Sequence, residues 1–235
     1  MEYVWIIWSL LMLGLWTLIF YFKRDYRRIM LPVSLVTMLF GLTEPLFVPE
    51  YWSPPSLFDL AARTGFDLES LIFSFAIGGI GSVIYGVLVP YKMAPMGDET
   101  KMLGRHRFHI PILLFPFFLF PVLSVSTNLN PIYVGIITLI VSSLATLYCR
   151  PDLKGKIWIG GMMFAVLYFF YFGSVLLFFP DYVLNHWNLD DLSGFFVLGI
   201  PIEEILFGFS FGMYWSSVFE HVSWSAIRQE RQVKI

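Results

Sequence analysis

The chain has 235 residues, of which 57% are hydrophobic and only 14% are charged, and its formal net charge is −2. Soluble domains carry about a quarter charged residues, so this composition excludes an ordinary soluble domain and predicts an all-α integral membrane protein. The near-neutral total gives no reason to expect a nucleic-acid partner. The single cysteine, Cys149, excludes an intramolecular disulfide and a multi-cysteine metal site, and we interpret it as a small apolar residue at a helix end.

A helix that crosses a bilayer needs about 20 mostly apolar residues. Seven stretches of the chain meet this requirement, at 3–22, 29–48, 66–89, 109–126, 131–148, 157–179 and 200–219. The fourth stretch contains Pro111, Pro116 and Pro121 and is predicted to be kinked or irregular. The first stretch is expected to remain as a helix, because its basic residues follow the apolar run, whereas those of a signal peptide precede it.

The basic residues are sorted between alternate loops. Fourteen of the fifteen lysines and arginines fall after the first, third and fifth stretches or in the tail, and only Arg63 falls on the other side. The fourteen are Lys23, Arg24, Arg27, Arg28, Lys92, Lys101, Arg105, Arg107, Arg150, Lys154, Lys156, Arg228, Arg231 and Lys234. The positive-inside rule therefore predicts seven crossings, with the N-terminus outside and the C-terminus in the cytoplasm.

Two parts of the chain are similar to each other. Residues 46–51 resemble residues 177–182, and residues 67–78 align without a gap on residues 201–212. We therefore predict two parallel three-helix repeats, at 1–90 and 131–235. A basic inner loop and a linking helix at 91–130 would join them and restore the orientation that a three-helix unit inverts.

Four acids lie inside or at the rim of the predicted spans, all toward the outer end. They are Glu44, Glu69, Glu203 and Glu204. Carboxylates inside a membrane cost a few kcal/mol each and are functional candidates by default. Pro201 suits the first position of a helix, which places Glu203 and Glu204 in the first turn. Free N–H groups there favour anions, so helix capping at the membrane interface is the alternative interpretation.

Neighbouring residues of a helix point about 100° apart, so Glu203 and Glu204 do not face each other. We expect the functional pair to be Glu203 and Glu69, meeting across the axis between the repeats, with Ser70 as the counterpart of Glu204. One protonated and one ionised carboxyl in an apolar, aromatic cavity could protonate an alkene and take a proton back. No metal site and no cofactor site is predicted.

The segment Pro201-Ile202-Glu203-Glu204 resembles the Pro-x-Glu-Glu/Asp signature of the membrane-integral lycopene cyclase domain family, and the duplicated unit resembles its fused tandem form. The resemblance covers nearly the whole chain. It implies β-cyclisation of the linear ends of lycopene without net redox change and without a cofactor, with Glu203 and Glu204 as the signature acids. In the first repeat Glu69 matches the first acid, whereas Asp67 and Ser70 replace the proline and the second acid.

The same resemblance implies a lipid-soluble polyene substrate, with carotenoid-pathway enzymes or a second copy of the chain as candidate partners. The substitutions at Asp67 and Ser70 leave open whether the first repeat is competent, and a divergent member could take another polyene.

Three other functions share single features with this sequence. A CAAX-processing-type protease would carry an arginine where Gly208 stands, and the histidines His106, His109, His186 and His221 form no metal site with the acids. Asp190-Asp191 lacks the spacing of an intramembrane prenyltransferase. A small transporter, or another lipid-binding repeat protein that uses the same acids, stays open as the alternative, because parallel repeats with intramembrane acids also occur in transporters.

Overall fold

The computed structural model describes residues 3–229, with side chains described as far as Ile227. Within this range the chain is predominantly helical, with two short antiparallel sheets. The α-helices are α1 (Val4–Phe22), α2 (Arg27–Met38), α3 (Leu60–Thr64), α4 (Leu68–Leu88), α5 (Asp98–Lys101), α6 (His109–Ser126), α7 (Pro131–Cys149), α8 (Lys154–Phe178), α9 (Tyr182–His186) and α10 (Ile202–Val222). The strands are β1 (Tyr91–Pro95), β2 (Phe196–Val197), β3 (Ile200–Pro201) and β4 (Ser225–Gln229), paired as β1 with β4 and β2 with β3.

Six helical segments of the described residues are long and apolar enough to cross a membrane. They are Val4–Phe22, Arg24–Leu46, Leu68–Leu88, Gly104–Ser126, Pro131–Cys149 and Pro151–Phe178. The seventh predicted stretch folds into α10, which carries Glu203, Glu204 and Glu220 and is not among these six segments. A helical fold with several candidate membrane spans is therefore confirmed, while the count of seven crossings stays a prediction.

Two groups of three helices form the body of the molecule. Helix α4 packs against α1 and α2, α10 packs against α7 and α8, and α4 and α10 pack against each other. Small residues bring the axes close, because Gly79 lies against Ser34 of α2 and Gly212 lies against Phe164 of α8. A Cβ atom at either glycine would overlap these neighbours, so α4 and α10 are held at the centre of the bundle.

The second membrane segment is irregular at its outer end. Helix α2 ends at Met38, and Leu39–Leu46 continues as a 3₁₀ helix that contains Pro45. Proline cannot donate a backbone hydrogen bond and disfavours α conformation in the residue before it. Gly41 of this 3₁₀ segment lies against the backbone of Ser70 and Leu71 at the start of α4. The break therefore brings residues 39–46 onto the head of α4.

Helix α6 is the least enclosed of the long helices. It contains Pro116 and Pro121, yet it runs as one continuous helix, so the predicted irregularity does not interrupt it. It packs mainly against α7, and His109 is its only buried residue. Most of its remaining surface is free to face lipid or the interior cavity described below.

Basic residues at the predicted inner end are tied into the fold. Lys156 is fully buried and forms an ion pair with Glu220 near the end of α10. The Nζ atom of Lys156 also donates to the Tyr91 hydroxyl at 2.6 Å, and Tyr91 donates to Glu220 at 2.9 Å. Arg150 binds Asp152 through two nitrogens at 2.9 and 2.7 Å. Arg150 also donates to the Glu220 backbone carbonyl at 2.9 Å. Together these contacts join β1, α8, α10 and the residue that follows α7 at one end of the bundle.

The predicted basic tail can be followed only in part. Arg231 and Lys234 lie outside the described residues, and the side chain of Arg228 is not among those described.

Replacing Lys156 by methionine is expected to reduce the free energy of unfolding by about 3–5 kcal/mol, because Glu220 would remain buried without its partner. Denaturant unfolding in detergent measures this change, and adding Glu220→Gln should restore part of it. The control is Lys101→Met, whose ion pair with Asp98 is at the surface and should change stability by no more than about 1 kcal/mol. Equal stability of the two lysine variants would contradict a structural role for the buried pair.

Candidate active site

A cavity of about 430 Å³ lies between the two three-helix groups. Its walls come from the 3₁₀ segment at Leu39–Leu46, from α4, α6, α7, α8 and α10, and from Trp5 of α1. The volume falls within the range of roughly 300–1,000 Å³ typical of small-molecule sites. The wall is mainly aromatic and aliphatic and includes Phe73, Phe120, Tyr168, Phe172, Phe207 and Trp215. A cavity of this kind favours an apolar ligand.

Glu204 is one of two carboxyl groups that line the cavity. It lies in the first turn of α10, and its Oε1 atom accepts hydrogen bonds from the Tyr51 hydroxyl and from Trp187 Nε1, the latter at 2.8 Å. Burial raises the pKa of the Tyr51 phenol well above its ordinary value. Tyr51 therefore keeps its proton and acts as a donor to the carboxyl group.

Glu44 is the second carboxyl group in the cavity wall. It comes from the 3₁₀ segment of the other three-helix group, and its Oε2 atom accepts a hydrogen bond of 2.9 Å from Ser70 Oγ. Its Oε1 atom is buried and has no hydrogen-bond partner among the described residues. The two halves of the molecule thus contribute one acid each to the same cavity, Glu44 from the first and Glu204 from the second.

Glu203 and Glu69 face the loops that precede their helices. Glu203 Oε1 accepts from the Ser193 backbone N–H at 2.9 Å and from the Tyr133 hydroxyl at 2.6 Å. Glu69 Oε1 accepts from the Leu57 backbone N–H at 2.6 Å. Each carboxylate therefore fixes the chain that leads into its own helix.

The expected meeting of Glu69 with Glu203 is not found among the described contacts. Neither of them lines the cavity, whereas Glu204 does. The reason is the turn of the helix, because Glu203 points toward the preceding loop and Glu204, about 100° further round, points toward the cavity. Ser70 occupies the position on α4 that Glu204 occupies on α10. Ser70 carries no charge but donates a hydrogen bond to Glu44, so the second acid of the cavity comes from the 3₁₀ segment at Leu39–Leu46.

The sequence identifies Glu44 as an acid near the outer end of a predicted span, but no motif marks it as a site residue. Its position depends on the 3₁₀ winding of Leu39–Leu46, which no local pattern predicted. No local motif distinguishes Tyr51 and Trp187 from the many other aromatic residues of the chain. The Tyr51 backbone carbonyl accepts from Asn188 N–H at 2.9 Å, so a loop–loop contact that is distant in sequence sets the positions of both donors.

One histidine lies near the outer end of the bundle, and three lie at the opposite end. No histidine side chain makes a described hydrogen bond to Glu44, Glu69, Glu203 or Glu204. His186 is near the outer end, where burial lowers the pKa of its imidazole, and the other three lie at the opposite end of the bundle.

A family model described as lycopene cyclase matches residues 130–222. The match begins one residue before α7 and ends with the last residue of α10, so it contains Glu203 and Glu204 but none of the acids of the first half. The match supports a lycopene cyclase domain in this segment, as the Pro201–Glu204 motif predicted. Comparison with curated proteins and with solved structures gave no match.

Replacing Glu203 by alanine is expected to speed amide hydrogen exchange at Ser193 by about 10- to 100-fold, since a hydrogen bond to a charged group contributes about 1.5–3 kcal/mol. Glu69→Ala should do the same at Leu57. Hydrogen-exchange mass spectrometry on the detergent-solubilised protein measures both changes. Glu50→Ala is the matched control, because the Glu50 side chain is exposed. Unchanged exchange at Ser193 and Leu57 would show that these carboxylates do not hold the loops.

Proposed function

We propose that this protein is a membrane-integral carotenoid cyclase, which closes the linear ends of a lycopene-like polyene into rings without net redox change. One observation carries the proposal. Two carboxyl groups, Glu204 and Glu44, line a single apolar cavity, in a chain whose residues 130–222 match the lycopene cyclase family. An acid and a base in one apolar, aromatic cavity are what a proton-initiated ring closure requires.

Glu204 is the proposed proton donor. Its Oε1 atom accepts two hydrogen bonds, from Tyr51 and Trp187, while Oε2 makes none among the described contacts and is available to carry the proton. Transfer of this proton to the terminal double bond of the polyene leaves a tertiary carbocation. The two donors stabilise the carboxylate that remains, which lowers the cost of the transfer.

Ring closure follows without further help from an acid or base. The neighbouring double bond of the polyene attacks the cation, a six-membered ring forms, and the positive charge moves into the ring. Aromatic faces stabilise a cation within about 6 Å, and Phe73, Tyr168 and Phe207 stand on the cavity wall. The scarcity of polar groups in this wall keeps water from trapping the cation.

Glu44 is the proposed proton acceptor. Loss of one ring proton to its carboxylate creates the ring double bond and completes an isomerisation in which no atom or electron is gained or lost. Ser70 holds the carboxylate through Oε2, and Oε1 is left without a partner among the described residues. Exchange with water then returns the proton and resets both carboxyl groups.

Glu203 and Glu69 are assigned a positioning role in this proposal. They were expected to be catalytic together with Glu204, and their contacts to Ser193 and Leu57 favour a role in fixing the outer loops instead. The loop held by Glu203 lies between Trp187 and α10. Its position therefore governs one of the two donors to Glu204.

The duplicated architecture is part of the proposal. Helices α1 and α7 both have 19 residues, and α4 and α10 both have 21. Each third helix packs against the first and second helix of its own group. These matches support two repeats at 1–90 and 131–235, joined by a linker at 91–130 that contains α6. With α10 as a seventh crossing, the basic ends face the cytoplasm and the cavity acids lie toward the outer side.

Replacing Glu204 by glutamine is expected to abolish cyclisation, with a rate at least about 1,000-fold lower, because an amide cannot donate the initiating proton. The assay is expression in cells that accumulate lycopene, followed by chromatographic analysis of the pigments and by quantification of the protein. Glu50→Gln, which changes an exposed acid, should convert lycopene like the unmodified chain.

Three outcomes decide this assignment. Lycopene left unchanged by the well-expressed unmodified protein would overturn the cyclase proposal and favour a binding or transport function. Full activity of Glu204→Gln would move the proton donor elsewhere. Loss of activity in Glu203→Gln with retention in Glu204→Gln would exchange the roles of the two neighbours.

Replacing Glu44 by glutamine is expected to slow cyclisation by about 100-fold and to change the ratio of ring isomers, because a different base would remove a different ring proton. The product ratio separates chemistry from stability, since a purely structural defect lowers the yield without changing the isomers. Ser70→Ala should give a smaller decrease, because Glu44 loses one hydrogen bond but stays in place. An unchanged rate and product ratio in Glu44→Gln would exclude it as the proton acceptor.

A further inference from the structure

A second cluster of polar side chains lies at the far end of the bundle, about 25 Å from Glu204 along α10. It consists of His106, His109 and Cys149, all buried. His106 belongs to a 3₁₀ turn at Gly104–Phe108, His109 is the first residue of α6, and Cys149 is the last residue of α7. The cluster therefore lies where the linker meets the second three-helix group.

The spacing of the donor atoms matches that of ligands on one metal ion. The Cys149 Sγ atom lies 3.4 Å from His106 Nδ1 and 3.7 Å from His109 Nδ1. In a tetrahedral zinc site, with Zn–S near 2.3 Å and Zn–N near 2.05 Å, adjacent sulfur and nitrogen ligands are about 3.6 Å apart. The two observed distances bracket this value. The three donor atoms all lie within 4.8 Å of one another, a gap that small rotations of the rings would close.

Hydrogen bonding alone accounts poorly for this arrangement. A thiol carries one hydrogen and can donate to only one of the two Nδ1 atoms, and sulfur is a weak acceptor for the other. A cation accepts electron pairs from all three atoms at once. Two guanidinium groups, of Arg105 and Arg150, act on the cluster, and that of Arg150 is paired with Asp152. Deprotonation of Cys149 to a thiolate supplies a negative charge at the site itself. Imidazole and thiolate together favour a borderline or soft ion over calcium or magnesium.

We propose that His106, His109 and Cys149 bind one zinc-type divalent ion. The nearest candidate for a fourth ligand is His221 at the end of α10. Its ring centroid lies 4.3 Å from that of His109, and its Nε2 atom is buried without a hydrogen-bond partner among the described residues. A zinc site with four protein ligands is structural, because no coordination position is left for a substrate. The ion would therefore act as a structural clip, meaning a cross-link between the starts and ends of the helices that carry its ligands.

The clip would hold one wall of the cavity. Helix α6 packs mainly against α7, and its residues Pro116, Phe117 and Phe120 line the cavity. Joining the start of α6 to the end of α7 through a shared ion fixes the angle at which this wall stands. The ion thereby stabilises the cavity from about 10 Å away, the length of helix α6 between His109 and Pro116, without contacting anything bound in it.

The test uses the full chain, purified in detergent and stripped with a chelator, and titrated with Co²⁺ and then Zn²⁺. Cobalt bound to a thiolate gives an intense near-ultraviolet charge-transfer band, and Cys149 is the only cysteine in the chain. We expect one equivalent of Co²⁺ to produce the band and Zn²⁺ to displace it. Zn²⁺ should also raise the melting temperature and protect Cys149 from alkylation.

Variants locate the site. Cys149→Ser should lose the band, and His106→Ala and His109→Ala should each weaken binding by at least about tenfold. His186→Ala, a histidine at the other end of the bundle, is the matched control and should bind like the unmodified chain. The unmodified protein tests the proposal even if a variant fails to fold. Absence of the band with no protection of Cys149, or a band indifferent to both histidine variants, would overturn it. Either result leaves the assignment of Glu204 and Glu44 untouched.

Discussion

A carboxyl group inside an apolar bundle must be hydrogen-bonded, and the outer half of this molecule is arranged around that requirement. Glu204 meets it with two donors that come from opposite halves of the chain. Tyr51 follows the 3₁₀ segment of the first half, and Trp187 follows α9 in the second. The loops that carry them pair directly, through the bridge between Trp52 and Trp187. The carboxyl group of Glu204 therefore holds together the two loops that carry Tyr51 and Trp187, and it also lines the cavity.

The same requirement separates the two ends of the bundle by charge. Acids and their neutral donors lie at one end, while the buried cations Lys156 and Arg150 lie at the other, each with a carboxylate partner. Helix α10 contributes to both ends through Glu204 and Glu220. Because glycines set α10 tightly against α8, a displacement at one end is passed on to the other. Helix α10 is thus a tightly packed central helix with a hydrogen-bonded carboxyl group near each end, Glu204 and Glu220.

Much of this could be predicted from the sequence, for physical reasons that also explain what was missed. Apolar runs of about 20 residues predict membrane-spanning helices directly. Pro201, with Glu203 and Glu204 shortly after it, predicts the start of a helix. The division of labour between Glu203 and Glu204 depends on where the preceding loop lies, which no local pattern contains. The His106–His109–Cys149 cluster is not evident from the sequence, because Cys149 is 43 residues from His106 and 40 residues from His109. The three side chains meet only when α6 folds onto α7.

Glu44 reaches the cavity through the geometry of the winding that carries it. In a 3₁₀ helix there are three residues per turn, so side chains at positions i and i+3 are eclipsed. Gly41 and Glu44 are such a pair, and the contact of Gly41 with the head of α4 therefore sets Glu44 directly above Ser70. In an α-helix the same residue would be turned by about 60° away from this line. The orientation of the second carboxyl group thus follows from a change of helical pitch, and Gly41, a residue with no side chain, determines where the proposed proton acceptor lies.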